Sequence, residues 1–498
     1  MSLSIIKNKE NKSNMNGQKI QGKALQLLQE IGKTLQFPIT VLAFAAILLR
    51  FGALGINYTI ENGVITNEVG YWISYIIEIG GKAVFDNIAL WFAIGVAFGL
   101  AKDYRGEVAL AGAVFYLVLF AMTSIAGSLP EMFYGHKEGL VYFKDGMKII
   151  EESEGVFKKI PNMKYILNIG ALGGIVAGGL SAWLHNKYST INLPKPLSFF
   201  GGRRFVLMGV LILVLPVGLL FAVIWPWIQF GLFKFGTYAS NHMDSATPLT
   251  AIYGVINRLL LPFGLDEISS DIFWNQLNSG FENIISTSGE IIGKVIGGVD
   301  GDINAFAKGI ENSGLFQSGF FPIMMGGIPA IALAMILTAK PENRSNVITF
   351  LGGTSLVSVI SGITQPIEFS FAFISPLLYS IHSLLTGVFM AITTAMGIQI
   401  GFDFSAGLID YIISFSQSWG FAVYKESILA NPLWTLALTA IAAGSYLLIF
   451  MLLIKKLNIK TIGREDNVTK NVNKTKSKTT SQGKRTKATQ VKKPNIKT

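Results

Sequence analysis

Cysteine is absent from all 498 residues. That excludes disulfides, thiolate metal sites and every mechanism passing through a cysteine of this sequence. Charge is nearly as scarce, with 14% of residues charged against 51% hydrophobic. Soluble domains carry roughly a quarter charged residues, so lipid is the expected main solvent. The first 33 residues, rich in Lys and Asn, lack the charged, apolar and small-residue order of a secretory leader. Despite 53 glycines, no phosphate-cradling loop ending in Lys-Ser or Lys-Thr occurs, which argues against ATP-driven transport by this chain alone. The four histidines (His136, His185, His242 and His382) are scattered without metal-ligand spacing. His382 reads as a packed or hydrogen-bonded residue rather than a phosphate carrier, and neither cofactor nor metal is expected.

What is present is a series of long apolar windows. Phe205–Phe233 and Asn431–Ile454 hold no charged residue, and about 20 apolar residues suffice for a helix to cross a bilayer. Phe37–Ile56, Val108–Ala126, Tyr165–Leu184 and Phe320–Ala339 are further candidates, with weaker ones at Tyr71–Ala101 and Thr247–Leu265. The sequence therefore predicts an all-α polytopic integral membrane protein with eight to ten spans. Lys7, Lys9, Lys12 and Lys19 precede the first span, and Lys455 and Lys456 follow the last. Both termini are thus expected in the cytoplasm.

Residues 1–33 read as a cytoplasmic arm leading into an amphipathic helix (Ala24, Leu25, Leu27, Leu28, Ile31), and 34–466 as the membrane domain. The remainder, 467–498, is a tail with ten Lys or Arg and no acid. It is too polar to fold alone and reads as solvated chain, with attraction to anionic membrane lipid as the functional alternative. Nucleic acid is not an expected partner. Two polar insertions, Pro130–Met163 and His185–Arg204, interrupt the spans, and Asp266–Ser318 forms a polar interval rich in Gly and Ser.

One stretch stands apart. From Ser345 to Phe402 the single charged residue is Glu368, within "SGITQPIEFSF". Gly352, Gly353, Gly362 and Pro366 punctuate this region, which predicts a re-entrant segment. Irregular backbone at membrane depth is tolerated where protein or a wet cavity surrounds it, and ionisable groups there are usually functional. Glu368 thus belongs beside a substrate site with Thr364 and Gln365, or else caps a helix at the membrane edge.

"SGITQPIEFSFAFISPLLYSIHSLLTG" resembles the signature of the sugar-transporting IIC component of the bacterial phosphotransferase system, in its glucose and N-acetylglucosamine superfamily. In the family's order follow "FGGRRF", "YGVINRLLLPFGL", "GDI", "SGFFPIMMGGIP", "AKPENR", "GFDFSAGLIDY" and "KTIGRED". The resemblance covers residues 20 to 466. It implies about ten transmembrane helices split into dimerisation and transport parts, a homodimer in the bacterial cell membrane, and alternating access. It also implies a IIB partner whose phosphocysteine passes phosphate to the bound hexose. No IIB or IIA domain follows "GRED" here, so a separate phosphorylated IIB protein is expected, and the chain supplies part of an enzyme rather than its phosphocysteine.

The substrate site implied by the resemblance comprises Arg258, Asp266, Glu267, Thr364, Gln365 and Glu368. Two positions depart from the family pattern. Gln365 stands where the family's turn carries a glutamate, and Asp266-Glu267 where it carries a His pair. A glutamine amide still donates and accepts hydrogen bonds but takes no proton. A carboxylate has in effect crossed from one position to the other. The alternative function is an uncoupled sugar facilitator or sensor without the phosphorylation step.

Overall fold

A computed structural model describes residues 27–464, apart from 28, 29, 33, 62–63, 154–155, 166, 168, 241, 243–244, 272, 275–282, 286–290, 295–300 and 403–404. The cytoplasmic arm, most of the amphipathic lead-in and the basic tail lie outside the described residues.

Helices dominate, as the composition implies. α1 (Gln36–Thr59) and α2 (Glu68–Phe85) pack side by side, joined through the short strands β1 (Ile60–Glu61) and β2 (Val64–Ile65). α3 (Ile88–Leu100) leaves α2 at a 50° bend. α4 (Gly106–Thr123) and the short α5 (Leu129–Tyr134) lead into the antiparallel hairpin β3 (Tyr142–Ser153) and β4 (Val156–Tyr165). α6 (Gly170–Tyr188), α7 (Arg203–Ser240), α8 (Ala246–Leu260) and α9 (Asp266–Asp271) follow, then β5 (Asn283–Ile285), β6 (Ile291–Lys294) and α10 (Asp302–Ala307). α11 (Leu315–Thr338) contains a π turn at Ile323–Gly327. The chain closes with α12 (Arg344–Ser361), α13 (Gln365–Ala372), α14 (Pro376–Ala395), α15 (Leu408–Tyr424) and α16 (Leu433–Lys456).

By length and apolarity, five helices can cross a membrane among the described residues (α4, α7, α11, α14, α16), and the bent α2–α3 pair makes a sixth. α6 and α8 fall where spans are expected, but α6 is diluted by glycine and α8 has 15 residues. About half of each is buried against neighbouring helices. α3 is apolar on every face, the composition of a buried helix, and packs against α4 and α6. Gly174 of α6 lets that contact form, because a Cβ there would overlap the Ala89 carbonyl oxygen. Small residues permit such close approach of helices where lipid supplies no hydrophobic drive.

The insertion Pro130–Met163 holds organised structure rather than plain loop. Tyr142 pairs with Tyr165, and Phe143 with Lys164, at the base of the β3–β4 hairpin. Gly352 and Gly353 do not interrupt the chain, since both lie inside α12. The break falls at Gly362, whose φ of +74° is left-handed. α13 then runs for eight residues before Ser375 caps the start of α14.

Candidate functional site

The site grows from the α12–α13 break. Gly362 ends α12, and a side chain there would press on Ser405 Oγ at 2.7 Å and on the Ala406 and Gly407 nitrogens at 2.8 Å. Ser405 Oγ donates to the Gly362 carbonyl at 3.0 Å, fastening the turn to the loop before α15. Pro366 sits in the first turn of α13, where its missing N–H costs nothing. This places Glu368 one turn into the helix, its N–H donating to the Thr364 carbonyl at 3.0 Å.

Glu368 is fully buried and serves three elements at once. Arg258 Nη1, from the end of α8, donates to its Oε1 at 2.7 Å. The Tyr379 hydroxyl on α14 lies 2.9 Å from its Oε2 and 2.6 Å from the Arg258 carbonyl oxygen. One hydroxyl proton serves two acceptors there. His382 Nε2, one helical turn further along α14, lies 3.4 Å from Oε2, while its Nδ1 faces the Tyr446 hydroxyl of α16 at 3.2 Å. Arg258 also donates to Asn257 Oδ1 at 2.9 Å and rests over the Phe320 ring at 4.9 Å. Burying an ion pair is worthwhile only when most of the remaining hydrogen-bonding capacity is met. Here both guanidinium Nη atoms and both carboxylate oxygens have partners, while Arg258 Nε has none among the described residues.

A cavity of about 360 Å³ opens beside this network. Asp266, at the start of α9, and Gln365, at the start of α13, both line it. Phe369, Tyr116 and Phe120 give it aromatic walls, and Lys164 and Tyr165 of β4 reach it from the hairpin. Gln365 Oε1 is buried without a hydrogen-bond partner among the described residues. That oxygen is enclosed by protein, so Gln365 meets the cavity through the rest of its side chain.

The six residues singled out from sequence therefore divide. Asp266 and Gln365 face the cavity together, whereas Arg258, Thr364 and Glu368 are buried behind its wall, exposed by 3%, 1% and 0%. The side chain of Glu267 lies outside the described residues. His382 is fully buried and hydrogen-bonded, in keeping with its reading as a packed residue. Asp302 accepts from Gly314 N at 2.8 Å and Gln317 Nε2 at 2.9 Å, tying α10 to the start of α11.

Sequence reasoning missed Tyr379 and Asn257, which no spacing connects to Glu368, and Lys164 and Tyr165, which fall at the boundary between the insertion ending at Met163 and the span expected from Tyr165. It also missed a second buried ion pair. Arg50 of α1 lies 2.8 Å from Asp410 of α15, with side-chain exposures of 4% and 2%. A signal existed, since Arg50 is the sole charged residue between Phe37 and Ile60.

Comparison with known proteins gives this geometry its setting. Residues 32–387 match the family model described as Phosphotransferase system, EIIC. The chain is 35% identical over 443 residues to the PTS system N-acetylglucosamine-specific EIICB component of Bacillus subtilis (strain 168), covering 89% of this chain and 80% of that protein. The chain belongs to the EIIC family. It is 37% identical over 445 residues to the PTS system N-acetylglucosamine-specific EIICBA component of Escherichia coli (strain K12) and 36% over 447 residues to the PTS system glucoside-specific EIICBA component of Staphylococcus carnosus (strain TM300). It spans 57% and 60% of those two longer proteins. The EIIC chain is thus a multi-pass membrane protein and the sugar-transporting subunit type of this system.

Proposed function

We propose that the cavity between Asp266 and Gln365 holds one hexose, of the N-acetylglucosamine or glucoside class that names the relatives, and that the EIIC chain carries it across the bilayer by alternating access. The observation carrying this reading is the meeting of Asp266 and Gln365 on one cavity. Ligand pockets start at roughly 300 Å³, so this one suits a single sugar ring. Tyr116, Phe120 and Phe369 cover the apolar C–H faces of the ring, and Asp266 and Gln365 hold its hydroxyls. Arg258, Thr364 and Glu368 keep the start of α13 in place from behind.

Phosphorylation follows as a displacement at phosphorus. The sugar hydroxyl oxygen bonds to phosphorus, the bond to the cysteine sulfur of IIB breaks, and the hydroxyl proton goes to a base. Asp266, which shares the cavity wall with Gln365 and with a second carboxylate, Asp86, is the base assigned to it. The sequence holds no cysteine, so the donor cysteine lies outside these residues, in a IIB domain. Such catalysis rests on positioning and charge stabilisation, which a chain without the donor group can supply. The homodimer and the cytoplasmic termini of this reading rest on family membership and on the lysines flanking the first and last spans.

The test is reconstitution in vesicles with phosphorylated IIB and labelled N-acetylglucosamine or glucose. Appearance of labelled sugar phosphate supports the coupled reading. Entry of unmodified sugar at an equal rate without IIB supports the uncoupled facilitator instead, and entry of no hexose overturns both.

A further inference from the structure

The β3–β4 hairpin lies outside the six residues singled out from sequence, yet its base lines the cavity that holds Asp266 and Gln365. We infer that Lys164 is a specificity-determining residue of the sugar site, donating a charged hydrogen bond to one hydroxyl of the bound hexose. The inference rests on the reading of the cavity as that site.

Three observations carry it. First, Lys164 and Tyr165 line the same cavity as Asp266, Gln365 and Phe369. Second, the hairpin base is fixed rather than merely adjacent. The Tyr165 hydroxyl bonds the Thr123 carbonyl at the end of α4 and shares a 3.0 Å hydrogen bond with Ser128 Oγ. Its strand partner Tyr142 donates to Glu131 Oε1 at 2.7 Å, and Glu131 accepts in turn from Gly127 N. The Tyr142 and Tyr165 rings also meet edge to face, with centroids 5.7 Å apart. A side chain carried on so well anchored a base meets a ligand at a fixed place, which is what specificity requires. Third, the chemistry completes the set. Asp266 and Asp86 both line the cavity and, when ionised, present acceptors alone, whereas an ammonium offers three donors. Even when one of those donors serves a protein group, others remain for the sugar. A site built to meet a particular hydroxyl rejects the analogue lacking it far more strongly than an apolar wall can.

The test compares wild type, Lys164→Gln and Lys164→Arg across a series of monodeoxy analogues of the transported hexose, reading uptake KM and kcat separately. Hydrogen bonds to charged groups are worth about 1.5–3 kcal/mol, or about ten- to hundredfold. Lys164→Gln should raise KM for the parent sugar by that factor with little change in kcat. One analogue should lose its penalty in the variant, because the hydroxyl it lacks no longer has a partner, and Lys164→Arg should restore part of the discrimination. If Lys164→Gln shifts every analogue by the same factor, or none, the assignment of Lys164 is overturned while the sugar site stands. If wild type takes up no hexose, the site reading itself fails and this inference with it.

Discussion

Removing the Glu368 carboxylate should destabilise the fold rather than merely slow transport. In Glu368→Ala, the Arg258 guanidinium stays buried with Asn257 Oδ1 at 2.9 Å and the Phe320 ring at 4.9 Å, but its counter-charge at 2.7 Å is gone. The Tyr379 hydroxyl loses one of its two acceptors, and His382 loses the carboxylate 3.4 Å away. Breaking a buried pair by deleting one partner costs about 3–5 kcal/mol, because the surviving charge remains desolvated. That amounts to a factor of roughly 10² to 10³ or more in the folding equilibrium. Glu368→Gln keeps the volume and one acceptor for Arg258, so it should lose less. Replacing both partners, Arg258→Met with Glu368→Leu, should recover most of the loss, since no uncompensated charge is then buried. The assay is denaturant unfolding in detergent followed by tryptophan fluorescence, with wild type, Arg258→Met, Glu368→Leu and the double replacement forming a double-mutant cycle. If Glu368→Ala costs less than about 1 kcal/mol, or the double replacement costs the sum of its parts, the supporting role given to this pair is wrong.

Other tests follow from single features. Gln365→Glu and Asp266→His should each reduce hexose uptake by about tenfold, the worth of one hydrogen bond to the ligand, and together restore it; additive losses would refute compensation across the cavity. Gly362→Ala should cost about 1–3 kcal/mol, because its φ of +74° and the atoms 2.7–2.8 Å from a Cβ both resist a side chain. Gly352→Ala, inside α12 with open space around the new methyl, should be neutral or stabilising in the same unfolding assay. Glu131 is held below its ordinary value of 4.5 by the Tyr142 hydroxyl bond and then by Gly127 N–H. Its contribution is therefore complete above pH 4.5 and disappears as the pH falls through the lowered value, the sign expected for a depressed carboxylate. Thermal stability measured against pH should drop more steeply below 4.5 in wild type than in Glu131→Gln.

The membrane class and part of the candidate site were legible in the sequence for a simple physical reason. Lipid imposes long apolar runs, and an isolated charge within one is expensive enough to stand out. Glu368 stood out in that way and marks the break that shapes the site. The pairing of Asp266 with Gln365 across one cavity was legible through motif resemblance rather than through spacing. The roles of Arg258 and Glu368 were not separable from those of the cavity residues, since a buried support and a ligand contact use the same residue types. The hairpin escaped notice because its mixed charge resembles solvated loop. α14 escaped because it lies inside one long uncharged region whose helix boundaries composition alone does not mark.

The Arg50–Asp410 pair joins residues from opposite ends of the chain, which has a consequence for biosynthesis. A ribosome delivers α1 to the bilayer long before α15 exists. An arginine near a helix centre costs about 2.5–3.5 kcal/mol on insertion, and Arg50 must bear that until its counter-ion arrives. α1 therefore gains that counter-ion only once α15 has been made, and a lesion at Asp410 removes the carboxylate 2.8 Å from Arg50.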